Sequence, residues 1–122
     1  MKKILVIDDE ELLIRTYSRL FEKNNFEVYT VKNGQHAEDI ISEENFDLIV
    51  CDIRMPGKNG VETIKEIKKI VQSKNGIMPP VIFITGFADE IIEKEAKTLK
   101  PIAYLYKPFD YQELLKVVQT VL

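Results

Sequence analysis

Leu48-Ile49-Val50-Cys51-Asp52, followed directly by Ile53-Arg54-Met55-Pro56-Gly57, is an unbroken apolar run that ends in one carboxylate and then in turn formers. A run of strand length without polar alternation is the pattern of a parallel strand buried on both faces, and Pro-Gly marks where the chain leaves the sheet. Such a strand delivers its last side chain to a surface crevice. Taken alone, Asp52 is a residue that starts a turn. The rest of the chain decides whether it does more.

Upstream, Lys2-Lys3-Ile4-Leu5-Val6-Ile7 reads as a second buried strand and leads straight into Asp8-Asp9-Glu10-Glu11. Acids at a helix start suit the positive end of its dipole, which accounts for Glu10 and Glu11. It accounts less well for Asp8, because adjacent carboxylates leaving a buried strand repel one another unless a cation or proton relieves them. Leu13, Tyr17, Leu20 and Phe21 then repeat at helical spacing as far as Lys23-Asn24-Asn25, with at least one of Leu12 and Ile14 expected outside the buried stripe. Phe26 to Val31 alternates like an edge strand, Asn33-Gly34 reads as a turn, and Ala37, Ile40 and Ile41 mark a helix to about Glu44. His36, the only histidine, reads as a solvent-facing helical residue rather than a metal ligand.

Downstream, Met55 to Gly60 is a loop, and Val61, Ile64, Ile67 and Val71 define a third helix closed by Ser73-Lys74-Asn75-Gly76. Pro79-Pro80 forces an extended entry into Val81-Ile82-Phe83-Ile84, a buried strand that ends in Thr85-Gly86. Asp89 starts a fourth helix with the stripe Ile92, Ala96 and Leu99, stopped by Lys100-Pro101. Ile102 to Tyr106 is the fifth strand and runs into Lys107-Pro108-Phe109. Asp110 and Glu113 have the spacing of a capping box, and Leu114, Leu115, Val118 and Val121 carry the last helix. Five strands alternating with five helices predict one α/β domain over residues 1–122, a doubly wound parallel sheet with helices on both faces.

The 122 residues suffice for one core and not for two. A composition of 45% hydrophobic and 30% charged residues, without a bilayer-spanning run or signal peptide, predicts a cytoplasmic protein with no membrane association. A formal charge of -3 argues against direct nucleic-acid binding, which needs clustered Lys and Arg to replace phosphate counterions. Cys51, the only cysteine, reads as core.

In an open parallel sheet, ligands sit outside the carboxyl ends of the strands. Asp8-Asp9, Asp52, Thr85 and Lys107 each stand at such an end. With these residues, the Asp52-to-Gly57 run, Gly60, Gly86, Tyr104 and Pro108-Phe109 in this order, the full chain resembles the receiver domain of two-component response regulators. The resemblance implies five parallel strands in the flavodoxin-like order 2-1-3-4-5. It implies a signalling domain rather than an enzyme with a separate substrate: Asp52 accepts a phosphoryl group from a phosphohistidine on a histidine kinase or histidine phosphotransfer protein, with Mg2+ as cofactor. Asp9, Asp52 and the backbone carbonyl of Arg54 would ligate the metal directly, and Asp8 mostly through water. Lys107 would meet one phosphoryl oxygen and Thr85 another, while Gly86 leaves room for the group.

Further roles follow from the same resemblance. Thr85 and Tyr104 would form the switch that reshapes the face of the fourth helix, fifth strand and fifth helix. The Lys107-Pro108 peptide would be cis, and Arg54 and Phe87 would tune the hydrolysis rate, the bulk of Phe87 slowing it. The expected output is a downstream protein target or an effector domain outside this sequence, and a phosphorylation-dependent homodimer is among the expected partners.

The residue chemistry agrees with this reading. Phosphoryl transfer asks for a nucleophile, a divalent cation and a fixed positive group around the phosphoryl oxygens. A flavin or nucleotide binder on the same fold would want a Gly, Ser or Thr cradle after the first strand, where Asp8-Asp9-Glu10-Glu11 stands instead. An aspartyl phosphatase would carry its nucleophile and a second Asp two residues apart after the first strand, a spacing that Asp8-Asp9 lacks. A receiver that only binds a partner would not need the full set.

Overall fold

The continuous apolar runs form the middle of one parallel sheet, and the alternating or short ones form its edges. In the computed structural model, which describes residues Met1–Leu122, β1 (Lys3–Ile7), β3 (Leu48–Asp52) and β4 (Val81–Thr85) are central, while β2 (Glu27–Val31) and β5 (Ala103–Tyr106) lie outside. The order is β2-β1-β3-β4-β5, as expected. The edges differ physically: β3 and β4 are buried at every residue, whereas β2 has none fully buried.

Five helices cover the two faces: α1 (Glu11–Lys23), α2 (Gly34–Glu43), α3 (Gly60–Ser73), α4 (Glu90–Thr98) and α5 (Tyr111–Val121). Because strand side chains alternate, each strand feeds two apolar layers. Leu5, Ile7, Ile49, Cys51 and Phe83 pack with α2, α3 and Ala96 of α4. Ile4, Val6, Leu48, Val50, Ile82 and Ile84 pack with Tyr17, Phe21, Leu114 and Val118 of α1 and α5.

Several local expectations need correction. Asp110 caps α5 by accepting from the Gln112 N–H at 2.8 Å, but Glu113 returns no bond to it, so no capping box forms there. The box forms at Asn59 and Glu62, whose side chains accept from one another's backbone N–H at 2.9 and 3.0 Å. Asn33 is the N-cap of α2, accepting from the His36 N–H at 2.8 Å, and Gly34 is already helical rather than part of a turn. On α1 the buried stripe is Ile14, Tyr17 and Phe21, with Leu13 and Leu20 half-buried and Leu12 74% exposed. Val121 is exposed on the last turn of α5, where Val118 and Leu122 take the sheet-facing positions, and Ile102 and Phe26 precede their strands. His36 faces solvent, as expected.

Candidate functional site

Strand pairing builds the site. β1 and β3 run side by side in register, Ile7 opposite Cys51, so the residues that follow them, Asp8 and Asp52, emerge together. Both are buried, at 1% and 4% exposure, and one carboxylate oxygen from each of Asp8, Asp9, Glu10 and Asp52 lies within 4.8 Å of the others. Asp8 is pinned by its own N–H donating to the Val31 carbonyl at 3.1 Å and by the Glu10 N–H donating to its Oδ1 at 2.9 Å. Gly60 holds the other side: its N–H donates to the Ile53 carbonyl at 2.8 Å, and a Cβ there would stand 2.3 Å from the Asp52 carbonyl oxygen. Only glycine lets α3 start this close to the Asp52 backbone.

Lys107, which follows β5, reaches across the sheet end. Its Nζ stands 3.5 Å from Asp52 Oδ1 and 3.4 Å from Glu10 Oε1. The Lys107-Pro108 peptide is cis, matching the expectation.

The electrostatics are those of a cluster short of positive charge. Burial, and then Asp8, push the Asp52 carboxyl up to about 7 against the opposing pull of Lys107. Burial also raises Asp8, in part offset by its hydrogen bond from Glu10 N–H and by Lys107. Burial works against the charge on Lys107, but Asp52, Asp8 and Glu10 outweigh it and leave the amine held above its usual range. One lysine against four carboxylates does not neutralise the group, and hard oxygen donors at this spacing suit a small divalent cation such as Mg2+.

The remaining expected site residues gather beside this cluster. Thr85 is buried at the end of β4, its hydroxyl donating to the Phe87 carbonyl at 3.3 Å and accepting from the Phe87 N–H at 3.2 Å. Tyr104 is half-buried, with its ring 6.3 Å from that of Phe83 and 5.4 Å from that of Tyr106. Arg54 does not join the carboxylates with its side chain: the guanidinium lies over the Phe87 ring, 3.9 Å from the centroid. Thr85, Tyr104, Arg54, Phe87, Asn59 and Ile92 line one pocket of about 510 Å³. Glu10 is the member that sequence reasoning missed as a site residue. Its place at a helix start gave it an ordinary explanation, and only its proximity to Lys107 reveals the other.

Comparison with known proteins addresses the same region. The family model described as the response regulator receiver domain matches residues 4–119. The transcriptional regulatory protein CrdR of Helicobacter pylori is 37% identical over 113 residues, which are 93% of this chain and 51% of that protein. The sporulation initiation phosphotransferase F of Bacillus subtilis is 30% identical over 99% of this chain and 94% of its own length. Thus the chain spans about half the length of some curated relatives and nearly all of another. Among solved structures, the chemotaxis protein CheY4 of Vibrio cholerae superposes with a TM-score of 0.87 at 30% identity, covering 100% of this chain and 99% of that one. The response regulator TrrA of Thermotoga maritima, solved in complex with Mg2+ and BeF, gives 0.82 at 30% identity over the full length of both chains. The match in sequence therefore runs through the strand ends that carry the carboxylates, the lysine and the threonine, and the match in fold orders the strands as found here: the chain belongs to the receiver domains of two-component response regulators.

Proposed function

We propose that residues 1–122 act as a single receiver domain in which Asp52 is the phosphoryl acceptor. One observation carries the assignment: Asp52 alone combines burial at a strand end, three neighbouring acids and an amine at 3.5 Å. An Asp52 oxygen bonds to the phosphorus of a phosphohistidine as the P–N bond breaks, and the histidine nitrogen leaves with its electron pair. Lys107 turns to a phosphoryl oxygen and Thr85 releases Phe87 to donate to another. Asp8, Asp9, Asp52 and the Arg54 carbonyl would hold Mg2+, with Glu10 at the rim. The metal supplies charge stabilisation to the phosphoryl oxygens.

The departure of the Thr85 hydroxyl opens the adjoining pocket to the Tyr104 ring, which moves inward and alters the α4-β5-α5 face. Water then hydrolyses the aspartyl phosphate, at a rate set by Arg54 and Phe87, so that the domain promotes its own phosphorylation and dephosphorylation. The donor is a histidine kinase or histidine phosphotransfer protein in the cytoplasm. The output is a downstream protein, a homodimer formed on phosphorylation, or an effector domain, and the full open reading frame distinguishes the last of these. No helix is long and apolar enough to cross a membrane.

The test is incubation with Mg2+ and acetyl phosphate, followed by intact mass measurement. Wild type gains one phosphoryl group and Asp52→Asn gains none; equal gains in both remove Asp52 from the mechanism.

A further inference from the structure

The hydroxyl of Tyr17 is the one buried side-chain nitrogen or oxygen atom without a hydrogen-bond partner. Tyr17 is 1% exposed in an otherwise apolar layer, where phenylalanine would fill the same space without leaving a polar group unpaired. Its ring is fixed on three sides. It stacks near Phe21 and Phe109, each with centroids 6.5 Å away, and meets Tyr111 at 6.0 Å with an interplanar angle of 62°. The hydroxyl cannot swing out to solvent.

Its direction follows from helix and strand geometry. Helical side chains lean toward the helix N-terminus, and α1 starts at Glu11, just after Asp8 leaves β1. Ile4 and Val6 face the Tyr17 layer, so the same alternation continues to Asp8; Leu48 and Val50 face it, so it continues to Asp52. Both buried carboxylates thus extend rows that rest on the layer containing Tyr17. The phenol feels them: after burial itself, Asp8, Tyr111, Asp52 and Glu10 push its ionisation to higher pH, keeping it a neutral donor.

We propose that Tyr17 is a positioning residue of the phosphoacceptor site, its hydroxyl donating from beneath to the Asp8 and Asp52 carboxylates when they draw in around a divalent cation. This rests on the function proposed above. A neutral donor orders these oxygens without competing with the cation for charge, and it leaves Lys107 to the phosphoryl group. The hydroxyl is unpaired in the arrangement described, and drawing the carboxylates in around a cation satisfies it. Removing the hydroxyl therefore has effects of opposite sign on the two states.

The test is Tyr17→Phe in the full chain, with Mg2+ affinity measured by titration calorimetry, thermal unfolding in chelator, and the Tyr17 13Cζ resonance followed in wild type during Mg2+ titration. The expected affinity loss is about three- to tenfold, the worth of one hydrogen bond. The unfolding midpoint in chelator is equal to or above that of wild type, and the Tyr17 resonance follows the binding isotherm with a larger shift than that of Tyr111. An unchanged affinity, or a Tyr17 resonance that does not move, overturns the inference; if the variant does not fold, the wild-type resonance alone decides. Failure of wild type to bind Mg2+ instead overturns the site reading beneath it.

Discussion

At Asp52, burial and Asp8 oppose ionisation while Lys107 favours it, and the first two prevail. The sign for stability follows. An unfolded Asp releases its proton near the ordinary 3.8, whereas folded Asp52 holds it to about 7, so between these values the native state binds the extra proton. Stability from this group is fully present below the lower value and falls as pH rises through the higher one. Without metal, the thermal midpoint of wild type should therefore drop relative to Asp52→Asn between about pH 4 and pH 7 and level off above that. Parallel midpoints across that range would show that Asp52 titrates normally. Raised Asp8 acts in the same direction, and Lys107 loses its proton outside the window.

A second residue-level expectation concerns Arg54 and Phe87, which stack on one another in the pocket lining although Phe87 is 55% exposed. Phe87→Ala or Arg54→Ala should shorten the aspartyl phosphate lifetime by about two- to tenfold, the worth of a cation–π contact, measured as phosphate release. Equal lifetimes would reduce Phe87 to a packing residue. The acids, Thr85 and Lys107 were legible in the sequence because each ends a recognisable apolar run. The Arg54–Phe87 stack was not, because 33 positions separate its members and no periodicity links them. Tyr17 was legible only as core, since an aromatic in a helical stripe shows nothing of where its hydroxyl points.

Elements were legible in proportion to how fully their surroundings dictate them. The central strands β1, β3 and β4 declare themselves as apolar runs, because burial on both faces leaves no room for polar residues. Caps were less legible. Asn59-x-x-Glu62 and Asp110-x-x-Glu113 share one spacing, yet only the first closes both hydrogen bonds, since side-chain geometry and not sequence decides reciprocity. Gly60, the first residue of α3, sits against the Asp52 carbonyl, so Gly60→Ala should destabilise the fold by about 1–3 kcal/mol in urea unfolding. It should also lower phosphoryl uptake, because relief of the clash moves the Asp52 backbone. Uptake at wild-type rate in a destabilised variant would uncouple α3 from the acceptor.

In the whole molecule, one sheet joins two apolar layers, so metal bound at its end should stabilise everything at once. Mg2+ at one hundred times its dissociation constant should raise unfolding free energy by about 2.7 kcal/mol, read from the urea midpoint. Asp52→Asn should gain less at the same concentration, and an equal gain would place the cation elsewhere. The fold class was legible from the alternation of five strands with five helices; the distribution of helices between the faces emerged only from the packing.

That distribution has a consequence for how such a chain can change over time. Asp8 and Asp52 continue rows that rest on α1 and α5, while Thr85 continues the row of Val81 and Phe83 that rests on the opposite helices, beside Tyr104. The sheet is a partition one residue thick, and neighbouring strands carry Asp52 and Thr85 to the same end on opposite sides of it. Substitutions within one layer can accumulate without disturbing the packing of the other, provided the two sides still meet at positions 52 and 85. The domain is thus two separately adjustable layers that share one sheet end, which allows one layer to be rebuilt while the other keeps its packing.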